Sequence, residues 1–473
     1  MSAARPPSWL RRLSQALRPG KKLRPARPVL LALEGLESRL VPAGGVAVPL
    51  YVLGPAQTSS SANSAQPDST YQSGGGFTPL GIQTAYGVSL LPSGDDGTGQ
   101  TIAVIDAYDD PKFLDSTDPN FAGSDLAQFD AEFGLPNPAF EKVSQTGSTT
   151  NLPGTDPAGA GNDNWEIEEA LDVEYAHVMA PAANILLVEC NSDSFSDLFA
   201  GADWAAASTA KGGGGATVVS MSFGQDGGFS SETAYDGDFS PAACPDVTFL
   251  AAAGDNGPVS PRRRGTGQAD YPADSPNVVA VGGTNLQADP TTGAYISETV
   301  WNELSVGAGA TGGGVSNFES QPSYQATAAA GISATRRVAP DVAFDADPYS
   351  GVLIYDSYNG AVTGDDVYAI GGTSVSTPLM GGVVAVADQI RAADGMSSLT
   401  GATQTLPILY GLYNTSHYSQ DFHDVTSGSV GAYTAGVGYD ALSGLGAPIV
   451  SNLAPDLATA RSPSPVRTAP RSR

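Results

Sequence analysis

Cysteine is nearly absent from this chain of 473 residues: only Cys190 and Cys244 occur. Two thiols so far apart in sequence form at most one disulfide and cannot make a metal cluster. Histidine is almost as scarce. His177, His417 and His423 are the three present, so imidazole chemistry has few places to sit. Bases are few as well, 22 Lys and Arg against 49 Asp and Glu, a net charge of −27. Nine of those bases lie in residues 1–39 and four in 461–473, which leaves nine against 47 acids in residues 40–460. So acidic a body repels phosphates and argues against nucleic acid as a partner. A long apolar run is missing too. The best stretch, 367–387, is broken by Gly371, Gly372 and Pro378. It reads as a loop and a buried helix, with no membrane span.

What is present suffices for a large core: 41% of residues are hydrophobic. Residues 1–45 place eight bases between Arg5 and Arg27, then a short apolar stretch at 28–33, then small residues at 43–45. That is the order of an export signal, and it predicts a secreted, extracellular protein. Residues 46–77 are rich in Ser and Gly and read as a linker, and 456–473 as a disordered tail. From 78 to 455, buried-strand patterns at 101–106, 184–189, 216–220, 247–252 and 277–281 alternate with helical segments at 197–207 and 232–244. Near-continuous apolar strands separated by helices predict one large α/β domain, a parallel sheet with helices on both faces.

Three segments could carry chemistry. Gly371-Gly372-Thr373-Ser374 opens an apolar helix, where a helix N-terminus favours developing negative charge and a serine could act as a nucleophile. A plain helix cap reads equally well there. Glu168 and Asp172, at i and i+4 of a predicted helix, share a face and could share a proton. Taken alone, an acidic solvent face is the more ordinary reading. Gly254-Asp255-Asn256-Gly257 follows a buried strand, where ligands of open α/β sheets bind, though it could be a simple turn.

Together these segments resemble the sedolisins, the serine-carboxyl peptidases with a subtilisin-like fold. The resemblance extends over most of 78–455, through Gly99 to Tyr108 and Tyr271 to Thr284. It implies Ser374 as nucleophile, Glu168 as its base, Asp172 supporting Glu168, and Asp255 in the oxyanion hole. Asp106 falls where relatives carry a carboxylate that steadies the pair. The resemblance also implies one calcium ion, held by the side chains of Asp424 and Asp440 and the carbonyls of Val425, Gly436 and Gly438. The expected activity is acid endoproteolysis of protein or peptide substrates. The alternatives are a non-catalytic binding or envelope protein on a peptidase scaffold, and a Ser-His-Asp hydrolase using His177 or His423. Two departures stand out. Phe223 replaces the family's usual Trp, and only the leader and linker precede the domain, where relatives carry a long folded prodomain. A basic run at 262–264 could bias substrate choice, but reads first as a solvated loop.

Overall fold

The computed structural model describes residues 45–54, 70, 75–259 and 267–460, all within one compact unit. The export-signal segment up to residue 44, most of the Ser/Gly-rich linker, the basic run at 262–264 and residues 461–473 lie outside the described residues.

The centre is an eight-stranded sheet. Its strands are β1 (Thr101–Ala107), β2 (Phe140–Ser144), β3 (Asn184–Cys190), β4 (Val218–Met221), β5 (Thr248–Ala252), β6 (Val279–Ala288), β7 (Tyr295–Val300) and β8 (Val342–Asp345). The spatial order is β7-β6-β5-β4-β1-β3-β2, with β8 alongside β6. Every pairing is parallel except that of β7 with β6. Alternation along a strand splits the core in two. Ile102 and Val104 of β1 join one cluster with the helices α1 (Trp165–Met179) and α3 (Thr373–Ala393). Ala103, Ile105 and Ala107 join another with α2 (Phe195–Ala206). The expected α/β sheet, helix-covered on both faces, is therefore observed.

Two local expectations fail. Residues 232–244 form only a single 3₁₀ turn, Glu232–Ala234, followed by turns. Residues 367–371 form a strand rather than a loop, pairing antiparallel with Val352–Tyr355. Cys190 and Cys244 are both buried, and no disulfide joins them.

Candidate active site

The acidic stretch of α1 is not a solvent face: every residue from Trp165 to Met179 is buried. Asn164 caps the helix, its side-chain oxygen accepting from Ile167 N–H at 3.1 Å. Five carboxyl groups are thereby taken out of water, and they divide in two. Glu166 accepts from Asp156 N–H at 2.9 Å, Glu169 from Asp110 N–H at 3.2 Å, and Glu174 from Tyr355 N–H at 3.1 Å. Those three hold neighbouring loops and the end of the strand Val352–Tyr355 against the helix. Glu168 and Asp172 hold no backbone N–H in this way; only the Ser374 hydroxyl approaches Glu168, and only the Ser222 hydroxyl approaches Asp172. Buried carboxyls ordinarily have fuller hydrogen bonding, so a pair met only by serine hydroxyls marks a site.

Asp106, near the end of β1, completes this group, with both oxygens buried and without a hydrogen-bond partner. Burial raises all three above the ordinary carboxylate range. Asp106 reaches about 8. Asp172 is raised by burial and then by the Asp106 charge, partly offset by the Ser222 hydroxyl. Glu168 is raised by burial, then by Asp172 and Asp106, partly offset by the Ser374 hydroxyl. Each of the three therefore gives up a proton less readily than a water-exposed carboxyl, and their mutual repulsion disfavours ionising all of them together.

Ser374 lies beside Glu168 in the first turn of α3, fully buried. Its hydroxyl donates to the Ser222 carbonyl at 3.1 Å. The first N–H groups of a helix lack partners within it. Here Thr373 N–H donates to Asp255 Oδ1 at 2.8 Å, and the Thr373 hydroxyl reaches the same oxygen at 2.7 Å. Asp255 Oδ2 is buried with no partner. Burial lifts this carboxyl to about 7, against the pull of the Thr373 donors. In mild acid Asp255 is therefore a neutral acid with an O–H free to donate. Gly372, at φ 107°, leaves room for this: a Cβ there would stand 2.7 Å from Asp255 Oδ2. The structure thus gathers Glu168, Asp172, Asp106, Asp255 and Ser374 at one end of the sheet.

No histidine joins them. His177 Nε2 faces Asp130 Oδ1 at 3.2 Å. His423 stacks on Tyr295 with ring centroids 3.5 Å apart, and burial pushes it down to about 4. His417 is paired with Asp456. Phe223 packs among Trp165, Phe195 and Phe199, an apolar role that needs no donor.

Sequence reading missed several neighbours. Ser222 and Thr373 flank motifs already in view, and their roles as acceptor and holder needed the fold to be seen. Asp270 was missed outright. It lies against Gly254, where a Cβ would stand 2.6 Å from its Oδ2, and it accepts from Gly227 N–H at 2.9 Å. The expected calcium residues cluster on one loop. Gly438 N–H donates to both Asp424 oxygens, at 3.0 and 3.1 Å, and Gly436 N–H to Asp440 Oδ2 at 3.3 Å. The Ser443 hydroxyl lies 2.9 Å from Asp440 Oδ2 and 3.5 Å from the Val425 carbonyl. Among the described residues no cationic side chain pairs with Asp424 or Asp440. Two carboxylates with no cationic partner, and the Val425 carbonyl near one of them, are oxygen donors of the kind a hard cation takes, while at Gly436 and Gly438 it is the N–H groups that face the carboxylates. Two other groups converge closely enough to hold a cation, His417–Asp421–Asp456 and Asp110–Asp125–Asp356, and neither was foreseen.

The subtilase family profile matches residues 97–424. The chain belongs to the subtilase family. Within that family it sides with the sedolisins. Kumamolisin from Bacillus sp. (strain MN-32) is 35% identical over 390 residues, covering 79% of this chain and 62% of the relative. Sedolisin from Pseudomonas sp. (strain 101) is 31% identical over 405 residues, 80% of this chain and 60% of the relative. This subtilase thus spans about three-fifths of the length of those curated relatives. Among solved structures, Pseudomonas sedolisin complexed with two molecules of pseudo-iodotyrostatin superposes with a TM-score of 0.64 at 28% identity. That match covers 80% of this chain and 97% of the other.

Proposed function

We propose that the protein is a serine-carboxyl endopeptidase acting in acid on protein or peptide substrates. The observation that carries this reading is the buried carboxyl pair met only by the Ser374 and Ser222 hydroxyls, with every histidine engaged elsewhere. Ser374 Oγ attacks the peptide carbonyl while Glu168 takes its proton. Asp172, with Asp106 behind it, keeps one proton in the carboxyl group so that Glu168 cycles between base and acid. The Ser374 N–H and the protonated Asp255 donate to the oxyanion. The leaving amine takes the proton from Glu168, and water then hydrolyses the acyl-enzyme.

The pH dependence follows from the protons required. Asp255 must be neutral to donate, and it loses its proton around pH 7. Activity should therefore fall as pH rises toward neutrality. A kcat/KM profile on denatured protein, read beside circular dichroism and a Ser374→Ala control, tests this. An optimum near pH 8 with the fold intact would instead favour a histidine base.

The Asp424–Asp440 loop would hold one calcium ion through the two carboxylates and the carbonyls of Val425, Gly436 and Gly438. A bound ion adds stability by mass action. Chelation should lower the melting temperature of the wild type, and that of Asp424→Ala much less. Equal shifts would dispose of the site. Export, read from the charge order of residues 1–45, is proposed on that order alone. Among the described residues no helix is long and apolar enough to cross a membrane.

A further inference from the structure

Asp421 closes a single helical turn, Tyr418–Asp421, and is removed from water, at 0% exposure. No N–H or O–H group donates to either of its carboxyl oxygens. A carboxyl buried in this way ordinarily collects donors or a cation. The groups that approach Asp421 are the Asp456 carboxyl and the His417 ring. One ring nitrogen of His417 and one oxygen each of Asp421 and Asp456 lie within 4.8 Å of one another.

Two elements bring these side chains together. Asp421 N–H donates to the His417 carbonyl at 2.9 Å, so the two residues are i and i+4 of one turn and share a face. Asp456 belongs to the helix α4 (Val450–Thr459). The start of α4 is fastened to the turn: Ile449 N–H donates to the Asp421 carbonyl at 2.7 Å, and Asn452 Nδ2 to the Gln420 carbonyl at 2.7 Å. Its other end is held by Arg391 of α3, which donates to the Ala458 carbonyl at 3.1 Å. Main-chain contacts and the buried Val450, Leu453 and Leu457 thus set the three side chains in place before anything binds between them. Charge points the same way. Two carboxyls meet one imidazole, and among the described residues no Lys or Arg pairs with any of the three. Two ionised carboxylates repel each other, and a divalent cation between them turns that repulsion into attraction.

We propose that His417, Asp421 and Asp456 bind one zinc-class divalent cation, which clips the 417–421 turn to α4. The donors select that class: an imidazole nitrogen suits first-row transition ions better than calcium, and carboxylates accept either. Zinc sits roughly 2.0–2.2 Å from such atoms, which places them about 3.3 Å apart in a tetrahedron. Rotation of the His417 side chain, 50% exposed, closes the difference. The fourth position is left to water. The site shares no residue with the Asp424–Asp440 loop and does not depend on the peptidase reading.

The test uses the full-length chain carrying Ser374→Ala, at pH 7 because metal ligands must be free of protons, and with calcium in large excess to fill the Asp424–Asp440 loop. Calorimetric titration with zinc chloride should show one equivalent bound per chain, and zinc should raise the melting temperature. On the same background, His417→Ala and Asp456→Asn should each weaken this binding by about tenfold or more, with circular dichroism unchanged. Asp424→Ala should bind zinc as the parent does. Zinc, and not calcium, should also slow the modification of His417 by diethyl pyrocarbonate by about tenfold, a readout on the parent that needs no variant to fold. The proposal is overturned by a parent that takes up no zinc at millimolar concentration, or by equal binding in the parent and both ligand variants. It is overturned as well by loss of zinc in Asp424→Ala, which would assign the ion to the calcium loop, or by modification of His417 at the same rate with zinc bound.

Discussion

At the scale of single residues, α1 offers a controlled comparison. Glu168 and Glu174 are both buried glutamates on one helix, and burial raises both. Glu174 accepts a backbone N–H from Tyr355, which an amide oxygen can also do. Glu168 has no such duty and stands beside Ser374. Glu168→Gln should therefore lose about 10²–10⁴-fold in kcat with its circular dichroism unchanged, since the general base is gone. Glu174→Gln should keep activity within a few-fold of the wild type. Equal losses in the two variants would mean that Glu168 also serves only to hold the fold.

At the scale of elements, catalysis as proposed depends on how closely two helices approach. α1 carries Glu168 and Asp172, and α3 carries Ser374. They meet at Gly382, where a Cβ would stand 2.3 Å from Met179 Cβ. Gly382→Ala must push the helices apart or shift one along the other. A displacement of about 1 Å can cost 10²-fold in rate. We expect a loss in kcat larger than any rise in KM, with a lower melting temperature; wild-type kcat would show that the helices can yield without disturbing the pair. This scale also marks how far the sequence could be read. The strands at 101–106 and 184–189 were legible because they are continuous apolar runs, and the i, i+4 spacing of Glu168 and Asp172 needs only a helix. That the helix is buried on every side was not legible, because its apolar stripe of Ile167, Leu171, Tyr175 and Val178 accounts for one face only and five acids share the helix. Only its enclosure by loops, α3 and the sheet removes it from water. Residues 232–244 looked helical in composition, but they close against the Phe199–Phe239 aromatic cluster as turns. Residues 45–54 look like linker because their partners, Phe223 and Gly371, lie far along the chain.

At the scale of the whole molecule, buried carboxyls recur away from the candidate site. Burial raises Glu189, Glu232 and Glu319 to about 9, and Asp274 and Glu298 to about 7. An unfolded chain would release these protons near pH ~4. Between that pH and the raised values the folded state binds more protons than the unfolded state, so stability falls as pH rises. Repulsion among 47 acids and nine bases in residues 40–460 acts in the same direction. Thermal melts of Ser374→Ala, which cannot digest itself by the proposed route, should give the highest melting temperature in mild acid and a steady decline toward pH 8. A rise over that interval would show that these carboxyls ionise freely in the folded protein.

The strand pairing of residues 45–54 on both flanks of Ser374 makes the cleft a ruler. It is filled by backbone from Val46 to Gly54, and nine residues at about 3.3 Å each come to roughly 30 Å of straight chain. Folded proteins rarely lend that length, because their inner strands already spend both edges on neighbours. The fate of a target should then depend less on its sequence than on how readily it surrenders such a length, that is, on the free energy of its own local unfolding. Acid lowers that free energy for most proteins as it supplies the protons that Asp255 and the carboxyl pair need. One variable, the acidity of the surroundings, would then set both the readiness of the enzyme and the supply of chain it can grip.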